Sequence, residues 1–179
     1  MARIFIARIP PWLGQALAAY LGEIIYRFAG KSRRAAISNI GHAMAPISRR
    51  RLKKAVRHVF HNVMRSYFEL SRGPSLSEAE LDRIIDFDFV GWQRVLDITA
   101  QGRGVIIASA HYGSFDIISQ VLARRGVPIT VMVTRVTPEW LSDYVTDLRG
   151  ARGVKFILVE EEGGSGGTNL GALKESITL

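Results

Sequence analysis

The stretch Gly104–Asp116, GVIIASAHYGSFD, decides the fold class. Val105, Ile106 and Ile107 form a β-branched run opened by the turn-like Gly102-Arg103-Gly104. That run predicts a short buried strand over 105–110. Ser109 and Ala110 are small, so backbone or ligand can approach His111. Gly113 loosens the loop, and Ser114 reads as the cap of a helix over 115–124. Ile117, Ile118, Val121 and Leu122 share one face of that helix. Asp116 falls in its first turn, where the macrodipole favours a carboxylate. A strand, a turn and a helix start carrying polar groups is how α/β proteins build sites.

Downstream the alternation continues. Gly126 and Pro128 lead into a predicted strand over 129–135, ITVMVTR. Thr137 reads as a cap, with Pro138 at the first position of a helix running to about Arg149. A third strand is predicted over 154–160, VKFILVE. This β-α-β-α-β order implies an α/β fold with a parallel sheet and flanking helices.

Upstream, residues 11–72 read as helical. One helix is predicted to about Phe28, a second near 33–44 and a third over 48–70, with Ser48 as N-cap. In the third, Leu52, Val56, Val59, Phe60, Val63 and Tyr67 recur at helical spacing. Gly73-Pro74 marks a break. Ser77 with Glu80 forms a capping box for a short helix ending near Ile85, and 90–100 is a further helix.

Charge is unevenly spread. Residues 1–72 carry 14 Lys and Arg against 2 Asp and Glu, while residues 73–179 carry 10 against 14. The whole positive excess of +8 therefore sits in the first 72 residues, which points to a polyanionic surface. Few aromatics are spaced for base stacking and no nucleic-acid module is present, so nucleic acid is not the expected partner. Pro10–Phe28 is largely apolar and carries Trp12, Tyr20 and Tyr26, residues that favour membrane interfaces. Gln15 and Glu23 interrupt it, so it is marginal as a spanning helix and suits an interfacial one as well. A buried first helix of a soluble domain is the other reading. Lys31, Arg33 and Arg34 follow at once and would hold that end on the cytoplasmic side. The resulting organisation is a membrane-associating helix over 1–30, a basic helical region over 31–102 and a partial α/β core over 103–179.

There is no cysteine, which excludes disulfides, thiolate metal sites and a cysteine nucleophile. A histidine steadied by a carboxylate can deprotonate an alcohol. His42, His58 and His61 have Ile47, Val63 and Ser66 five positions on, so His111 alone has an acid there. From the pattern alone, an ordinary loop histidine beside a helix-start charge is an equal reading. His58 and His61, three apart on a helix, could place two metal ligands on one face, but no acid lies near in sequence, and an ordinary helix histidine is the better reading. GGSGG at 163–167 matches the nucleophile-elbow pattern around Ser165. After Ser165 the chain has neither His nor Asp, so this is read as a flexible loop.

Taken in order, these residues resemble one family. GRGVIIASAHYGSFD looks like the first motif block of the bacterial lipid A (late) acyltransferases, the lauroyl/myristoyl type within the lysophospholipid acyltransferases: glycine-rich turn, apolar strand, His, four residues, acid. RRAAISNIGHAM at 33–44 looks like the family's basic, asparagine-containing segment after the N-terminal helix, and Arg149 matches its arginine near the end of the helix after the second strand. Two departures stand out. Ser114-Phe115-Asp116 replaces an Asn-Trp-Glu-like run. Family members also continue past the third strand, whereas this chain stops at Ile177-Thr178-Leu179, which reads as a truncated form.

The resemblance implies an O-acyltransferase at the cytoplasmic face of the bacterial inner membrane, needing neither metal nor cofactor. His111 would be the base and Asp116 its orienting acid. Arg149, Gly113, Ser114, Arg33 and Arg34 would contact substrate. The donor would be an acyl thioester of acyl-carrier protein or coenzyme A, the acceptor a lipid A precursor or other glycolipid, and the support an anionic membrane surface. The alternatives are a non-catalytic membrane-associated module of the same fold and, behind it, a soluble nucleotide-binding α/β domain.

Overall fold

A computed structural model of the chain describes residues 6, 8–86, 89–135, 138–150 and 153–159. Thr137 and the GGSGG segment lie outside the described residues. The chain divides into two compact units at Arg72/Gly73, beside the Gly73-Pro74 break.

The first unit is built from three helices: α1, Pro11–Phe28; α2, Gly30–Ala43; and α3, Arg49–Arg72. α1 packs on α3 through the smallest side chains it has. Gly14, Ala18 and Gly22, four residues apart, are its buried positions, because residues i, i+4 and i+8 share a helix face. A Cβ on Gly14 would fall inside the Phe68 ring, and one on Gly22 would lie 2.7 Å from the Phe60 carbonyl oxygen. The Gly22 contact is with backbone, which cannot turn aside. Gly22→Ala is therefore expected to destabilise the helical unit by about 2 kcal/mol through overpacking, read as a fall in its thermal midpoint.

The same interface holds an ionic cluster. The Glu23 carboxylate accepts a hydrogen bond from Arg57 Nε, meets His61 Nε2 at 3.0 Å and pairs with Arg27 Nε at 3.3 Å. The hydrogen bonds from Arg57 and then His61 hold its pKa below the ordinary 4.5, against a slight desolvation that would raise it. A carboxyl whose folded pKa is depressed stabilises above its unfolded value, and that stabilisation is lost as pH falls through the folded one. The helical unit is expected to weaken below pH 4.5, and Glu23→Gln to flatten that part of the stability–pH curve, measured by denaturant midpoints.

The second unit opens with a 3₁₀ turn at Gly73–Ser75, then α4, Glu78–Ile84; α5, Phe89–Ala100; α6, Phe115–Arg124; β1, Thr130–Val133; α7, Glu139–Gly150; and β2, Lys155–Leu158. The capping box at Ser77 is present in full: Ser77 Oγ accepts from Glu80 N while Glu80 Oε2 accepts from Ser77 N. Leu76 and Leu81 pack with Ile117 and Val121 of α6 into one apolar cluster. β1 and β2 pair in parallel, with Thr130 opposite Lys155 and Val133 opposite Leu158, and α7 is the crossover between them.

One expectation fails. Among the described residues the sheet has two strands, and 105–110 forms no strand. Val105 and Ile107 are exposed, and Ile106 is 98% exposed. β-Branched propensity records how well a side chain fits a pleated, half-buried surface. Here no neighbouring strand among the described residues supplies that surface. The architecture is mostly helical with a small parallel sheet, and it is α/β in that sense. Among the described residues no helix is long and apolar enough to cross a membrane.

Candidate active site

His111 stands at the end of the open segment, exposed, with its ring tilted against Phe115 at 4.2 Å between centroids. The chain reverses at Gly113, whose φ of +60° favours glycine. Ser114 does occupy the N-cap position of α6, but its side chain makes no cap hydrogen bond. Its φ and ψ, −87° and 55°, lie outside the extended region from which a serine oxygen reaches back to the helix N–H groups.

Asp116 lies in the first turn of α6, as the sequence predicts. Its carboxylate is engaged by Arg149, from the last turn of α7. Arg149 Nε and Nη2 both approach Asp116 Oδ1 at 2.7 Å. Both side chains are 17% exposed. Each charge also complements its own helix, the anion at an N-terminus and the cation at a C-terminus. A planar guanidinium giving two short bonds to one oxygen holds that carboxylate oxygen in place. Among the described residues no hydrogen bond joins His111 to Asp116. Catalytic hydrogen bonds commonly tighten only when substrate is bound.

Beneath the pair, Gln120 is buried, and its Nε2 donates to the Leu148 carbonyl at 3.4 Å. This is a second tie between α6 and α7, one turn from the ion pair. The sequence reading places Arg149 among substrate-facing residues. The structure pairs it with Asp116. No spacing rule announces this, because regular parallel β-α-β units would bring helix starts together, not a start and an end.

The other residues singled out belong to the helical unit. Arg33 Nη1 donates to the carbonyls of Tyr26 and Arg27 at 2.8 and 3.1 Å, and its guanidinium sits 5.5 Å from the Tyr26 ring centroid. Arg33 thus satisfies the orphan carbonyls at the end of α1, while Arg34 is exposed. His58 and His61 are 6.2 Å apart between centroids. The acid missing from the local sequence comes from α1, as Glu23, but Arg57 and Arg27 take the place a cation would need. Among the described residues no group of three or more His, Asp and Glu is arranged to hold a metal.

An acid-bearing helix start thus follows a histidine-bearing turn, in a chain whose first 72 residues are basic and helical. The family model described as bacterial lipid A biosynthesis acyltransferase matches residues 2–173 of the 179. The chain belongs to that family, and its activity is of the lipid A biosynthesis acyltransferase type. No curated protein matches it.

Proposed function

We propose that the chain is an O-acyltransferase in which His111 and Asp116 are the catalytic pair and Arg149 positions the acid. The observation that carries this reading is the fixed Asp116–Arg149 pair five residues from an exposed histidine on a glycine turn. The Nε2 or Nδ1 of neutral His111 takes the proton of an acceptor hydroxyl as its oxygen attacks the thioester carbonyl carbon. Asp116 orients the imidazole and stabilises it when charged. Collapse of the tetrahedral intermediate breaks the carbon–sulfur bond, and the imidazolium returns the proton to the leaving thiolate, giving ester and thiol. The transient oxyanion needs donors. Backbone N–H groups of the Gly113–Ser114 turn are the candidates, because Arg149 is already committed.

In this reading the donor is an acyl thioester of acyl-carrier protein or coenzyme A, and the acceptor is a lipid A precursor or a related glycolipid. The place is the cytoplasmic face of the bacterial inner membrane. Exposed Arg34 suits lipid phosphates or an acidic carrier. The test is release of free thiol from an acyl thioester, dependent on a glycolipid hydroxyl, by the intact chain in vesicles. A folded, vesicle-bound chain with no turnover would favour the non-catalytic module.

A further inference from the structure

α1 shows two unlike sides. One is committed to α3 through Gly14, Ala18 and Gly22. The other is a run of large apolar side chains facing outward: Trp12 is 73% exposed, Tyr20 68% and Phe28 83%, with Leu17 and Leu21 also exposed. Such a run along one 18-residue helix is not the scattered exposure normal for a surface, and marks an interaction face. Exposed Arg27 lies on α1 near its end, and exposed Lys31 and Arg34 lie just beyond it.

We propose that this outward face is an interfacial seat on an anionic lipid surface, with α1 lying in the plane of the headgroups instead of spanning the bilayer. The proposal deepens the membrane placement proposed above and rests on it. Three observations select this occupant and this depth. First, a spanning α1 would carry α3 with it, since the two are packed, and would draw Arg57 and the Glu23 carboxylate into hydrocarbon. Intramembrane charge is costly. Second, aromatic and aliphatic side chains with cations at one end match the boundary between headgroups and acyl chains. Third, a second copy would bring another unit with 14 basic against 2 acidic residues to the same place. Like charge opposes that contact, whereas acidic headgroups favour it.

The chain has no cysteine, so single-cysteine variants at Trp12, Leu17, Leu21 and Phe28 can each carry one polarity-sensitive fluorophore. The intact chain is mixed with vesicles of phosphatidylglycerol and phosphatidylethanolamine, or of phosphatidylcholine alone. All four labels are expected to shift to the blue on the anionic vesicles and to be quenched more by a shallow than by a deep spin-labelled lipid, with similar ratios. Leu17→Asp combined with Leu21→Asp is expected to lower partitioning at least tenfold without loss of helicity, because both positions are exposed. Deeper quenching at 17 and 21 than at 12 and 28 would show a spanning helix, overturning the seat but keeping membrane placement. Equal partitioning to phosphatidylcholine would overturn the anionic choice. A blue shift without vesicles that grows with protein concentration would assign the face to a second copy. No partitioning to any vesicle would overturn both the seat and the membrane placement, while thiol release reports separately on the chemistry.

Discussion

Replacing His111 with alanine is expected to lower thioester-to-hydroxyl acyl transfer about 10³-fold, the scale of a lost general base, with the fold intact. The loss falls on chemistry alone because the ring is exposed and its neighbour is a single aromatic face, that of Phe115. Exposed substitutions of this kind change stability by about 0.5 kcal/mol or less. The measurement is turnover beside a thermal melt of the same preparation. Near-normal turnover would remove His111 from the mechanism. A large drop in the melting midpoint would make the activity loss structural.

The second large effect is expected at Arg149. Arg149→Met leaves the Asp116 carboxylate without its two donors at a site only 17% exposed. The loss of charge-assisted hydrogen bonds there is expected to destabilise the second unit by about 2 kcal/mol. In the proposed mechanism Arg149 positions the acid, so kcat should fall with KM little changed, the mark of an interaction needed in the transition state and not for binding. Arg149→Lys keeps the charge but not the planar fork, so it is expected to recover stability more fully than kcat. A rise in KM with kcat unchanged would return Arg149 to the substrate-facing role that the sequence suggests.

The helices were legible because each is written locally: Ser77 and Glu80 announce one start, Gly73-Pro74 the end of the long α3, and the apolar spacing of α6 its buried face. The first strand was misread because β propensity describes a partner surface as much as a residue. Val105–Ile107 carry the propensity without the partner. In the site, the His111–Asp116 spacing could be read along the chain, but the guanidinium on Asp116 comes from 33 positions away, beyond any local pattern; in the helical unit the carboxylate that meets His61 comes from 38 positions away. The basic excess of the first 72 residues was visible at once. Only packing shows that Arg33 spends its donors on helix-end carbonyls.

The open stretch before the histidine also has a consequence for the protein as a material. Val105 to Ala110 contains no charge and no proline, and Ile106 stands almost fully in solvent. That composition, displayed in the open, is what seeds cross-β stacking between chains. Since His111 is the next residue, self-association through this stretch would bury the proposed base. Storage losses of activity would then follow protein concentration, not time alone, and a charged residue placed at Ile106 would extend working life without touching the Asp116–Arg149 pair.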